Sequence, residues 1–423
     1  MLPDLIEIAP LSETVSAKIA VPGSKSITNR ALILAALADG PTTLRGALWS
    51  DDTRIMTAAL QRLGFDITVA PDEAEICNRT IRVRGQGGRI ARGGLPGKPL
   101  DLFVGNAGTA TRFLAALVCL GDGVYRLHGT DRMHQRPQAA LFQALRQLGY
   151  RIESANDRLP ADITGEGPRE AACQVSIGDS SQFASALLLC ARAGRWQPKL
   201  AGDAAEEAAY VAMTRRLLEA FPRQGGEFQI EADASSASYF CAANWLLHCR
   251  IEIMEFPATD WQIDAAFPKY LPLPPSISRR NQLGDSIMTA AIVAPFANSP
   301  TEFTDLERLR VQECERVAAL RTELGRCGAK VVEQGQTLTV FPSAGAMRGA
   351  EIETYDDHRM AMCFAILGLK IPGIKLKNPA CARKTFPDFF QKLAAPPPAG
   401  LGAAILDART GRRLAVEDLF AGQ

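Results

Sequence analysis

Seven basic and two acidic residues carry the chemistry this sequence could perform. Lys25 with Arg30, Arg112, Arg136, Arg316, Arg359 and Lys384 each fall in a polar loop that opens an apolar segment, or on the helix that follows. Arg binds phosphate and carboxylate oxygens in pairs, so such a set suits an anionic ligand. Any one of these residues is ordinarily half of a surface salt bridge; their recurrence at equivalent points of a repeat favours anion binding. Asp285 stands alone in a loop entering an apolar helix, and Glu313 falls on the first turn expected for the next helix. Acid and base groups beside a cationic cluster are what proton transfer on a hydroxyl or an alkene carbon needs. Their plain alternatives are a helix cap for Asp285 and a solvated helix face for Glu313. His358, between Asp357 and Arg359, is either a proton donor or a core histidine. Cys314 and Cys381 lie near these loops, with nothing in the sequence that lowers a thiol pKa.

The elements that must position these groups form a repeat. Val21-Pro22-Gly23-Ser24-Lys25-Ser26-Ile27-Thr28-Asn29-Arg30 opens a helix whose body, Ala31 to Leu37, is apolar on every face. A helix with no polar face is buried, and its first N–H groups and positive dipole end favour an anion. An amphipathic helix follows, capped at Ser50 and ending at Leu63-Gly64, and then strands. The same order of polar loop, buried helix, link, second helix and strands restarts at Gly105, Asp179, Asp233, Gly284 and Tyr355. The third unit's second helix is expected from about Glu206 to Phe221, and the fifth's from Val311 to Gly325; the fourth unit's second half is irregular and Pro-rich. Alternating strands and helices give an α/β fold. Bundled in two groups of three with aligned starts, the six buried helices would make two domains facing a cleft. Residues 395–423 read as a Pro-rich linker and a separate tail.

Composition bounds the function. The 423 residues hold 47 Lys+Arg against 46 Asp+Glu, a net charge of +1, which excludes a dedicated nucleic-acid binder or a basic membrane-surface protein. The ten cysteines form no Cys-x-x-Cys and the four histidines no metal-ligand spacing, as expected of reduced thiols in a cytoplasmic protein. The first dozen residues do not resemble a signal peptide, and no apolar run is of membrane-spanning length. Gly23-Ser24-Lys25-Ser26 is not a nucleotide phosphate loop, because position 18 is Lys and no Gly precedes the Lys directly.

Pro22-Gly23-Ser24-Lys25-Ser26 with Asn29-Arg30, Gly105-Asn106-Ala107-Gly108-Thr109, Gln135-Arg136-Pro137, Ser180-Ser181-Gln182-Phe183, Asp233 to Tyr239, Asp356-Asp357-His358-Arg359-Met360 and Lys384-Thr385-Phe386-Pro387 together resemble the 5-enolpyruvylshikimate-3-phosphate synthases, in order, over residues 5–394. The resemblance implies a two-domain enolpyruvyl transferase fold. Each domain would hold three repeated βαβαββ units with buried parallel helices, an inside-out α/β barrel. The domains would be residues 1–22 with 233–394, and residues 23–232. It implies transfer of the enolpyruvyl group of phosphoenolpyruvate to the 5-hydroxyl of shikimate 3-phosphate, with release of phosphate through a tetrahedral intermediate and with domain closure. No metal or organic cofactor is implied, and a monomer without nucleic-acid or membrane partners is expected. Carried over residue by residue, phosphoenolpyruvate would be bound by Lys25, Gly108, Arg136, Arg316, Arg359 and Lys384. Shikimate 3-phosphate would be bound by Ser26, Arg30, Ser180, Ser181, Gln182, Tyr210 and Asp285. Asp285 would take the hydroxyl proton, Glu313 or Lys25 would serve the methylene carbon, and His358 joins the catalytic candidates.

Three positions depart from the family pattern, all on the acceptor side: Glu207 where a hydroxyl is usual, Gln312 where a Lys is usual, and Arg308 for an Asn. They leave room for a different acceptor. The sister transferases acting on UDP-N-acetylglucosamine are disfavoured by Ser24-Lys25-Ser26 and the retained Ser180-Ser181-Gln182. A non-catalytic anion-binding relative is disfavoured by Lys25, Asp285 and Glu313.

Overall fold

The computed structural model describes residues 2–178, 180–201 and 208–422. The chain forms two compact units, Gly23–Glu231 and an enclosing unit of Met1–Pro22 with Ala232–Gln423. In the inserted unit the helices Lys25–Leu37, Gly108–Val118 and Ser181–Gly194 pack on one another. In the enclosing unit Ala234–Leu247, Ile287–Val293 and His358–Gly368 do the same. These six helices are apolar nearly all round because neighbouring helices and sheets cover them.

The sheets repeat one pattern: a parallel pair, then two antiparallel partners. In the inserted unit Leu100–Phe103 runs parallel to Asp122–His128, which pairs antiparallel with Ala161–Glu166 and through it Arg151–Glu153. In the enclosing unit Ser276–Ser278, Thr301–Thr304, Thr337–Val340 and Val331–Gln334 follow the same order and sense. These parallel strands bracket a buried helix in sequence, since a parallel pair needs a long crossover. Two of the six repeats keep only the parallel pair among the described residues, Ala171–Ser176 with Trp196–Ala201 and Ser16–Ala20 with Arg250–Met254. At the two crossings the strands are exchanged. Ser16–Ala20 precedes the first buried helix, yet it pairs with Arg250–Met254, which follows the fourth. Gly226–Gln229 precedes the fourth, yet it pairs with Pro41–Leu48, which follows the first.

Three local expectations differ from the structure. The fifth unit's second helix begins at Arg316, not Val311. A 3-10 turn covers Glu307–Val311, and Glu315 caps the helix by accepting from the Ala318 N–H at 2.7 Å. Glu313 therefore sits in the loop before the helix and not on its first turn. The Pro-rich stretch of the fourth unit contains a 3-10 helix, Ile263–Tyr270. Residues 395–423 are no separate tail. Ile405–Asp407 pairs antiparallel with Leu5–Ile8, which pairs on its other edge with Ile374–Lys377, and Leu401, Ile405, Leu414 and Leu419 are buried in the enclosing unit's core. The apolar residues among the polar ones of this segment supply a fourth strand and a hydrophobic patch.

Candidate functional site

In the inserted unit the polar groups gather at the starts of the three buried helices. Gly23 is fixed by its N–H to Asn78 Oδ1 at 2.8 Å, and Ser24 directly precedes the first helix without a side-chain cap. The buried Ser24 hydroxyl has no partner among the described residues. Lys25 Nζ lies 3.2 Å from Asp52, an acid buried in the first turn of the helix Asp51–Arg62. Ser26 is half-buried, and its carbonyl accepts from Arg30 NH1 at 2.9 Å. Arg30 is 1 % exposed and also donates to Thr214 Oγ1 and Ser185 Oγ, with its guanidinium over the Phe113 ring. Burial lowers its pKa to about 10. Tyr210, half-buried on the helix Ala208–Ala220, lies within electrostatic reach of it.

Gly108 opens the second buried helix and leaves the space of a side chain to two guanidinium tips. A Cβ would meet Arg112 NH1 at 2.3 Å and Arg136 NH2 at 2.7 Å. Arg136 NH1 donates to the Asn106 carbonyl at 3.2 Å, and Arg112 donates to Gln182 Oε1 at 3.2 Å and the Pro137 carbonyl at 3.1 Å. Gln182 in turn donates to Thr109 at 3.3 Å, which ties the second helix start to the third. Ser180 caps the third helix by accepting from the Gln182 N–H, and Ser181 is buried beside it. Among the described residues neither Arg30 nor Arg136 forms an ion pair, and Arg136 Nε is buried without a partner. Buried cations held by neutral groups leave a net positive field where anions are favoured.

In the enclosing unit the charges interlock. Asp285 accepts from Arg279 NH2 at 3.3 Å and lies 3.2 Å from Arg359 NH2 and 3.8 Å from Arg316 NH1. Burial alone would raise the Asp285 pKa; Arg359, Arg316 and Arg279 outweigh it and hold the carboxyl well below the usual range. Glu313 bridges Arg316 NH2 and Lys384 Nζ, both at 2.8 Å. Arg316 also meets Asp357 through Nε at 2.7 Å and NH2 at 3.2 Å, and burial, which would neutralise it, is outweighed by these carboxylates. Asp357 is the cap of the sixth buried helix and accepts from the Arg359 N–H at 2.9 Å. Arg359 NH1 reaches the Tyr239 hydroxyl at 3.5 Å, and its Nε is buried without a partner among the described residues. Gln312 accepts from Arg316 NH1. A Lys at that position could not, so the departure adds an acceptor to the guanidinium's shell.

The structure thus gathers Asp285, Glu313, Arg316, Arg359 and Lys384 in one network, and Gly108, Arg136 and Gln182 in another. His358 is 1 % exposed with Nδ1 3.6 Å from Asp357, behind the network and not at its surface. Burial, then the Asp357 carboxylate, push the Cys314 thiol well up, so it offers no thiolate. Glu207 lies outside the described residues, as does Asp179. Three residues were missed in the sequence. Arg279 is signalled only by the basic pair Arg279-Arg280 six residues before Asp285. Asp52 hides in a capping sequence, and Asp264 in the Pro-rich stretch, with no signal of its own.

Two units of repeated α/β sheets around buried helices, with cations at the helix starts, define an enolpyruvyl transferase fold. Solved structures agree. The EPSP synthase of Acinetobacter baumannii superposes with a TM-score of 0.72 at 21% identity over 95% of this chain and 99% of that one. The enolpyruvyl transferase NikO of Streptomyces tendae gives 0.69 at 17% identity over 97% and 98%. The family model of EPSP synthase (3-phosphoshikimate 1-carboxyvinyltransferase) matches residues 11–224 and 274–393. The 3-phosphoshikimate 1-carboxyvinyltransferase of Trichormus variabilis is 36% identical over 92% of this chain and 98% of its own. That of Opitutus terrae is 37% identical over 93% and 97%. The chain belongs to the EPSP synthase family and is an enzyme. Among the described residues no helix is long and apolar enough to cross a membrane.

Proposed function

We propose that this enzyme transfers the enolpyruvyl group of phosphoenolpyruvate to the 5-hydroxyl of shikimate 3-phosphate and releases phosphate, in the cytoplasm. The substrates carry two phosphates and two carboxylates, and each unit taken by itself holds buried cations at or near helix starts. Phosphoenolpyruvate is assigned to Lys25, Gly108, Arg136, Arg316, Arg359 and Lys384. Shikimate 3-phosphate is assigned to Ser26, Arg30, Ser180, Ser181, Gln182, Tyr210 and Asp285. The hydroxyl adds to C2 of phosphoenolpyruvate as its proton passes to Asp285 and a proton is delivered to C3. The tetrahedral intermediate then expels phosphate as a C3 proton is withdrawn and the double bond re-forms. Glu313 or Lys25 serves C3, and His358 acts through Asp357.

The observation that carries this reading is the grip of three guanidiniums on Asp285. A carboxylate so held is a weak base. A substrate anion that takes Arg316 and Arg359 for itself removes that hold. One unit charge about 4 Å away is worth on the order of 4 kcal/mol at an effective dielectric of 20, which corresponds to about three pKa units. Asp285 thus becomes a competent base when phosphoenolpyruvate is bound beside it. Phosphate release from phosphoenolpyruvate tests the reading. Release that needs shikimate 3-phosphate and is lost in Lys25→Ala supports it. Binding without release would favour a different acceptor or a non-catalytic relative.

A further inference from the structure

Asp264 is 4 % exposed and lies outside every role assigned above. Its Oδ1 accepts from the Gly284 N–H at 2.8 Å, the Ser286 N–H at 3.1 Å and the Ser286 hydroxyl at 2.6 Å. Its Oδ2 accepts from the Ser235 hydroxyl. Gly284 and Ser286 are the two neighbours of Asp285, so one carboxylate grips the chain on either side of the residue that meets three guanidiniums. Ser235 belongs to the fourth buried helix and Ser286 directly precedes the fifth. Two residues earlier, Gln262 accepts from the Ala234 N–H at 3.1 Å and donates to the Ala232 carbonyl at 2.8 Å. The start of the 3-10 helix is therefore a splint between two helix starts. All four groups facing the carboxylate are donors, three on Oδ1 and one on Oδ2, so an alanine here would leave every one of them without its acceptor.

We propose that Asp264 is the positioning residue for Asp285, holding Gly284 and Ser286 so that the Asp285 carboxylate stays within reach of Arg279, Arg316, Arg359 and the acceptor hydroxyl. This rests on the reading of Asp285 as proton acceptor. The groups that set its charge are Arg279 from its own segment, Arg316 and Glu313 from the loop and helix beyond, and Arg359 from the sixth helix. Freed from the splint, Asp285 moves from these guanidiniums and titrates nearer the ordinary aspartate value of about 4. A displacement of about 1 Å costs on the order of 100-fold in rate.

Asp264→Ala in the full chain, which removes all of these acceptors, tests this against Asp285→Asn and the parent. The expected result is a kcat lower by about 100-fold, with KM for phosphoenolpyruvate within about threefold, because the Asp357 and Glu313 anchors of Arg316 and Lys384 are untouched. The acid limb of kcat/KM, set against the parent's, moves upward, which a simple loss of folded enzyme would not cause. Ser286→Ala and Ser235→Ala each remove one donor and shift kcat the same way by about fivefold; they decide the matter if Asp264→Ala does not fold. Parent-like kcat and pH profile in folded Asp264→Ala, or in both serine variants, with Asp285→Asn inactive, overturns the positioning role alone. Full turnover in Asp285→Asn overturns the proton-acceptor reading, and this inference with it.

Discussion

Gly108 shows how much a missing side chain sets. Arg112 and Arg136 approach where a Cβ would be, so Gly108→Ala must push both guanidinium tips aside. The shifted atoms are ends of flexible side chains. The fold should survive, with a melting temperature within about 2 °C of the parent, while KM for phosphoenolpyruvate rises about tenfold or more, a loss of about 1.4 kcal/mol. Steady-state kinetics and a thermal melt check both halves. Asp285 gives a pH test. Its folded pKa is depressed, so its stabilising effect is complete above the unfolded value of about 4 and is lost as pH falls toward the folded value. Asp285→Asn should melt lower than the parent at pH 6, and the gap should close below about pH 4. Its kcat should fall by about 10²–10⁴-fold. An unchanged gap between pH 6 and pH 3 would assign the stability difference to something other than this charge.

At the scale of elements, the critical join is Asp357. It caps the sixth buried helix through the Arg359 N–H and grips Arg316 with both oxygens, linking that helix to Arg316–Arg326. Asp357→Ala leaves a buried guanidinium with fewer partners and a helix without its cap. The enclosing unit should lose about 3–5 kcal/mol. Denaturant unfolding followed through its tryptophans, Trp245 and Trp261, with Trp49 and Trp196 of the inserted unit replaced by Phe in both parent and variant, reports that unit alone. The same elements show what the sequence could convey. The buried helices were legible because apolar residues occupy every face and small polar loops precede them. Glu313 was misplaced by a turn because Val311 to Gly325 has helical spacing throughout, and only the Glu315 cap, a tertiary choice, starts the helix at Arg316. Asp264 was invisible because its donors lie near residues 235 and 285, far apart in sequence. Lys25 and Arg359 were visible because each sits in the first turn of a buried helix, and Arg136 and Arg316 because each sits at or just before the second helix of its unit.

For the whole molecule, residues 395–423 change from appendage to component. They lie beyond the segment that the family model matches, which ends at residue 393. Truncation after Ala394 would expose one edge of Leu5–Ile8 and remove, besides two buried alanines, the large buried side chains of Leu401, Ile405, Leu414 and Leu419. At about 1.5–3 kcal/mol each, that loss is comparable to the stability of a whole domain. Soluble yield should collapse, or limited proteolysis should digest the enclosing unit while Gly23–Glu231 persists as a resistant fragment. Equal protease resistance of truncated and full-length chains would show that the strand is dispensable. The sequence hid this strand because Ile405–Asp407 is only three residues long and follows a proline run, so neither period nor length marks it.

The pairing of Leu5–Ile8 with strands some 370 residues later has a consequence for the order in which the molecule comes into being. At about 5–20 residues per second, a ribosome needs roughly 20 seconds to more than a minute between making the first strand and making its neighbours. Meanwhile Gly23–Glu231, contiguous in sequence, has everything it needs to fold. The exchanged strands sharpen this, because Ser16–Ala20 must also wait for Arg250–Met254. Nascent chains should therefore carry a finished inner unit behind two apolar strands with open edges, which is the kind of surface a chaperone engages.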